Sequence, residues 1–303
     1  MQNFVKFSLD SHYYLFFMRN KHLLFGAALF VLVACGGEEK KTIENEEETT
    51  VETDAIVDYN IPSPSDQFSL IADMGVEKNT SIMHDAKMAD KYTSGSQKAL
   101  NFGVYTADIA YLTAFNETDQ YLSYFGKLEK LGNDIGIAQV FGTELGEMAK
   151  KWDGNADSLF RLSDKTYNQA FRRLIEIDKG TELSLMLVGG WIESMHLMIG
   201  SSKGFGKSAK LDQAIADQKV VAENLLEFLF SYKNDKNVAL YISDIESILK
   251  IYEGLQCSSS ETNVSNNNGK LTFSGGESCK LTEKCFKELS AKIGAIRKQI
   301  ITI

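Results

Sequence analysis

Beyond residue 60, apolar side chains recur at intervals of three and four along almost the whole chain, the period of helices that each bury one face. The only two prolines are Pro62 and Pro64, so nothing from Ser65 to Ile303 has the ring that breaks a helix. Ser63, Pro64 and Asp66 predict the first helix start: an N-cap, a proline at the first helical position and a weak capping-box partner. Gly75 marks its end. A second helix is expected from Ser96, with Leu100, Gly103, Val104, Ala107, Tyr111, Ala114 and Phe115 on one face. Further helices are expected around 118–131, 135–151, 156–178 and 182–199. Leu211, Ile215, Val221, Leu225, Phe228, Leu229 and Tyr232 form the next stripe, and Val238, Tyr241, Ile245, Ile248 and Tyr252 the one after. In the last helix Phe286, Leu289, Ile293, Ile296 and Ile300 make a seam suited to lie along another helix.

One segment departs from this period. Residues 257–280 are rich in Ser, Asn and Gly, with Asn268-Gly269 between Val264 and Leu271/Phe273, a signal for a hairpin-like or disordered insertion before the last helix. No tetratricopeptide-like signature recurs at a fixed spacing, so the expectation is an all-α, irregular multi-helix bundle rather than a solenoid. Gly189-Gly190 inside a helix costs roughly 1 kcal/mol per residue relative to Ala, which points to a close approach between helices. Cys257 and Cys279 flank the insertion; bridged in an oxidising compartment they would contribute on the order of 3 kcal/mol. Cys285 makes the count odd, and a 279–285 pairing or three free thiols stay open.

The N-terminus has a different order. Arg19 and Lys21 precede an apolar run from Leu23 to Ala34, about the length of a signal-peptide core and too short to span a bilayer. Leu32-Val33-Ala34-Cys35 follows, then Gly36 and Gly37. This resembles the lipobox of bacterial lipoproteins, and the resemblance covers about the first tenth of the chain. It implies that Cys35 is acylated, that residues 1–34 are a removed signal peptide, and that the lipid bilayer is a partner; Met1 to Phe17, with Asp10 and a Tyr/Phe cluster, fits no n-region, so Met18 is the expected start. A signal anchor or a secretory signal without lipidation is the alternative.

Charge then separates a tether from a domain. Residues 36–58 hold nine acidic residues against Lys40 and Lys41, a net −7. The leader carries +2, which leaves −4 of the chain's −9 for residues 59–303. With few apolar residues, 35–58 reads as a lipidated cysteine and an acidic, disordered spacer. Glu38 and Glu39 also resemble the surface-export signals of Bacteroidota lipoproteins, which implies an outer-membrane protein on the periplasmic or cell-surface face. A plain tether accounts for them equally well. No basic stripe with interleaved aromatics is present, so no nucleic acid is expected as partner.

Candidate chemistry is sparse. After the leader only His84 and His196 remain. Glu193 and His196 form Glu-x-x-His, half of the motif that di-iron bundles repeat on two helices, and no second copy exists. Met195 and Met198 would suit copper; the plainer reading is a core helix whose Glu and His satisfy each other. Ser201 to Ser208 ends like a phosphate-binding loop but follows a helix rather than a strand, which favours a simple interhelical turn. Asn101, Tyr105 and Asp108 share one helical stripe and are the candidate ligand-binding set; alternatively Asp108 caps a neighbouring helix or pairs with Arg172 or Arg173. No cofactor and no metal are expected.

The run Lys98 to Leu112, KALNFGVYTADIAYL, together with Ile61-Pro62-Ser63-Pro64, is similar to stretches in uncharacterised helical lipoproteins of Bacteroidota. That resemblance implies a fold and a location but no activity. The expectation is thus a membrane-tethered, non-enzymatic protein that binds an unidentified protein or solute. The alternative is a metal-binding or enzymatic bundle using Glu193/His196 or Tyr105/Asp108.

Overall fold

The computed structural model describes residues 60–117, 119–142, 156–267 and 270–302. The signal-peptide and tether expectations, Cys35 among them, fall outside these residues. The described chain is all-α apart from one two-stranded antiparallel sheet. The helices are α1 (Pro64–Asp73), α2 (Gly95–Ala114), α3 (Tyr121–Ile135), α4 (Ala156–Glu176), α5 (Gly180–Ser201), α6 (Ala209–Phe230), α7 (Lys236–Tyr252) and α8 (Glu283–Ile301). Strands β1 (Gln256–Asn267) and β2 (Lys270–Lys280) lie between α7 and α8.

Local sequence sets the helix starts. Ser63 and Asp66 form a reciprocal capping box at α1, and Ser94 with Gln97 does the same at α2. Asp235 caps α7 through two backbone N–H groups, and Thr282 caps α8. Gly75 adopts a left-handed φ of 72° just beyond α1, where the sequence placed the stop. One helix expectation needs correction. Instead of a helix opening at 135, Gly136 turns left-handed (φ 92°) and ends α3, and Ala138–Phe141 is a short 3₁₀ turn. The rest of the stretch expected at 135–151 lies beyond the described residues.

The core is built on α2 and α5, which run against each other with backbone in contact. A Cβ added to Gly103 would collide with the Met186 carbonyl and the Gly190 amide; one added to Gly189 would collide with the Leu100 carbonyl. Glycine is therefore required at both positions, and its helix-propensity cost is offset by the packing that the approach permits. By length and composition α5 is apolar enough to cross a membrane, yet 83% of its most apolar window is buried inside the fold. It is the central core helix, wrapped by α2, α8, α6 and α1. All five apolar positions of the α8 seam are buried against it and α7.

The insertion folds as a hairpin, longer than the small one expected. Its register runs from Gln256 opposite Lys280 to Asn267 opposite Lys270, with an irregularity between Ser260 and Asn263. Cys257 and Cys279 are directly opposed and joined as a disulfide, while Cys285 is a buried free thiol whose Sγ lies 3.5 Å from the Ile251 carbonyl.

Gly103→Ala and Gly189→Ala should each lower unfolding free energy by about 2 kcal/mol or more, through overpacking against fixed backbone. Gly126→Ala, at an exposed position of α3 where an added Cβ meets nothing, should instead stabilise by about 0.5–1 kcal/mol. Urea unfolding of the three variants checks the contrast, which fails if all three respond alike.

Candidate functional site

Two places in the domain are chemically distinctive: a buried ionisable cluster between α2, α5 and α8, and an open groove between α1 and α6.

The cluster contains two sequence candidates from different sets, Asp108 and Glu193, both with no solvent exposure. The residue that explains them is Arg297 on α8. Its guanidinium binds Glu193 with a fork, Nε to Oε2 at 2.6 Å and Nη2 to Oε1 at 2.8 Å. Nη2 also donates to the Ile82 carbonyl at 3.2 Å. His196, expected to pair with Glu193, instead meets the same Ile82 carbonyl through Nε2 at 3.2 Å. Arg173, offered as a partner for Asp108, pairs instead with Glu176 at 3.1 Å. Arg172 is exposed, whereas Asp108 is fully buried. Both pairings are therefore corrected: a bidentate guanidinium matches a carboxylate better than an imidazole one helical turn away.

Two carboxyls and one guanidinium leave one charge too many for a dry interior. Burial pushes Asp108 well above the usual carboxylate range, and the neighbouring Glu193 charge pushes it further. Glu193 is also raised by burial, though Arg297 opposes that directly. Asp108 thus holds a proton, and Glu193 and Arg297 are the charged pair. Asp108 Oδ2 accepts from the His84 amide at 3.3 Å, Oδ1 meets no N–H donor, and the proton that Asp108 holds can be directed to the neighbouring Glu193.

Around this centre, aromatic hydroxyls clamp the irregular segment that joins α1 to α2. Tyr124 donates to the His84 carbonyl at 2.8 Å and Tyr105 to the Asp85 carbonyl at 2.9 Å. Tyr92 donates to the Ile301 carbonyl at 3.2 Å, so the His84 ring must supply the proton in its 2.7 Å contact with Tyr92, through Nε2. Burial, reinforced by Arg297, holds His84 and His196 down at about 4, so both are neutral at pH 7. Asn101 joins the same end of the fold, donating to the Gln97 and Ile300 carbonyls. The candidate set Asn101, Tyr105 and Asp108 is thus brought together, but each member holds protein. Among the described residues no group of three or more His, Cys, Asp or Glu is placed to hold a metal.

The resemblance of Ser201–Ser208 to a phosphate loop does not extend to its geometry. The segment turns through left-handed Gly204 and Gly206, and the Gly206 amide is taken by the Asp212 carboxylate at 2.9 Å.

The groove was not foreseen. It encloses about 550 Å³ between α1, the end of α5 and α6, with Leu70, Ile71, Met74, Met198 and Ala214 as its apolar wall. Such a volume suits a small ligand. Leu70 is 65% exposed there, large for an aliphatic side chain beside other apolar groups. The only available signal was that Leu70 and Met74 follow one another by four on a helix whose other stripe, Phe68 and Ile71, faces the core.

Comparison of the chain with protein-family models, curated proteins and solved structures finds no match.

The cluster makes a pH signature. Asp108 is raised in the fold, so its stabilising contribution is complete below its unfolded value and is lost as pH rises toward the folded one. His84 and His196 are depressed, so stability falls as pH drops from about 6.5 toward about 4. The Asp108→Asn variant keeps an acceptor for His84 and a donor for Glu193, without the titration. Its stability relative to wild type should climb with pH above about 4, by up to about 1.4 kcal/mol per unit. Melting curves from pH 5 to 9 test this; a constant difference would mean that Asp108 is ionised in the fold.

Proposed function

We propose that this chain is a membrane-tethered lipoprotein of the bacterial cell envelope, anchored through acylated Cys35, that binds a small partner molecule without transforming it. The observation that carries the anchoring is the order of the N-terminus: Arg19 and Lys21, an apolar run, Leu32-Val33-Ala34-Cys35, then an acidic stretch before the domain. The Cys257–Cys279 disulfide supports an oxidising location outside the cytoplasm. Two or more acyl chains on one cysteine hold a soluble domain firmly at a bilayer.

The binding half of the reading follows from how the two distinctive places differ. A general acid, base or metal ligand must meet its substrate, and both Glu193 oxygens are occupied by Arg297 in a sealed interior. The groove between α1 and α6 is open and presents side chains to solvent. That contrast favours binding over the metal or enzyme reading of Glu193/His196 and Tyr105/Asp108.

Cells fed labelled palmitate should incorporate it into the wild-type chain and not into Cys35→Ser, and the variant should leave the membrane fraction. Metal analysis of the purified protein should find less than stoichiometric metal. Equal membrane retention of Cys35→Ser would overturn the anchoring, and a stoichiometric metal lost in His196→Ala would overturn the binding reading.

A further inference from the structure

We infer that the groove between α1 and α6 takes the aliphatic chain of an uncharged, single-chain lipid whose hydroxyl donates to Gln67. The inference rests on the envelope-binding reading above and names the ligand class for its open site.

Gln67 carries the argument. It lines the groove, is 6% exposed, and its Oε1 has no hydrogen-bond partner. A buried carbonyl oxygen left without a donor is unfavourable, so a donor delivered there is favoured. The side-chain amide is lightly held: its Nε2 reaches the Pro62 carbonyl at 3.4 Å, beyond the normal hydrogen-bond range. The terminal torsion of Gln is broad, so rotation about it can present Oε1 to a ligand in the groove that the residue lines. Its neighbour Gln218 is already committed, accepting from Trp191 Nε1 at 3.0 Å.

The rest of the wall selects the body of the ligand. Leu70, Ile71, Met74, Met198 and Ala214 offer an apolar strip, and methionines adapt to a flexible chain. At about 550 Å³ the groove has the size of one small ligand rather than a partner helix. The rim selects against an anionic head: Asp66 and Asp217 flank it against the single Lys210. A fatty-acid carboxylate would meet two like charges and would bring no proton for Gln67. A hydroxyl head supplies that proton without charge, and a bilayer-tethered domain has such lipids within reach.

The test uses the full exported chain carrying Cys35→Ser, purified without detergent, and calorimetry with monomeric probes. Monolauroylglycerol should bind at one site. Methyl laurate, which has no donor, and laurate, which is anionic, should each bind about tenfold more weakly. Gln67→Leu should bring monolauroylglycerol down to the methyl laurate level while leaving methyl laurate unchanged. Ala214→Trp, filling the groove from α6, should abolish both. Absence of binding by any probe would overturn the proposal, as would a Gln67→Leu profile identical to that of the unsubstituted groove. Circular dichroism and melting of both variants show that they are folded. Palmitate incorporation at Cys35 reads the anchoring separately, so labelled protein with an inert groove removes this proposal alone.

Discussion

The fork between Arg297 and Glu193 is the interaction on which the architecture turns. It joins the last helix to the central one across 104 residues of sequence, with the Glu193 carboxylate fully buried. Its third bond reaches the Ile82 carbonyl and so extends the bracket to the irregular chain between α1 and α2. That chain forms only short 3₁₀ turns at Thr80–Ile82 and Ala86–Lys91, so few of its backbone groups are satisfied by regular structure. Side chains from α2, α3, α5 and α8 supply the missing partners. Arg297, His196, Tyr124 and Tyr105 each bind a carbonyl of residues 82–85, and Asp108 receives the His84 amide.

A cluster of perturbed ionisable groups usually invites a catalytic reading. Here the same perturbations follow from structural duty. Asp108 is neutral because burial disfavours its charge and the Glu193 carboxylate beside it adds to that, and the histidines are neutral because the dry interior disfavours theirs and the guanidinium repels it. Every member faces another part of the same chain. The groove has the opposite character: it is open to solvent, has an apolar wall, and holds one buried polar atom that the protein leaves unanswered.

Much of the fold was legible because helix information is local. Capping at Ser63 and the α8 seam need only neighbouring residues, and the close approach at Gly189 follows from the cost of glycine in a helix. The end of α3 was misplaced because Gly136 reads as a tolerated helix glycine unless its left-handed conformation is known. The cluster was half legible: Asp108 and Glu193 stood out as acids on apolar faces, but their partner was missed. Arg297 falls four residues after Ile293 and three before Ile300, on the buried face of α8. A lone base on one apolar stripe and a lone acid on another form a matched signal, visible only when helices distant in sequence are compared. Gln67 left no such trace, since an unsatisfied oxygen is defined by the absence of neighbours in space.

The bracket is tested most directly by a double-mutant cycle between Glu193→Leu and Arg297→Met, followed by denaturant unfolding. Each single change should cost about 3–5 kcal/mol by leaving a buried charge unpaired. The double variant should recover a large part of that sum, with a coupling above about 1 kcal/mol. Additive losses, or an Arg297→Met change that costs less than about 1 kcal/mol, would contradict the role assigned to the pair.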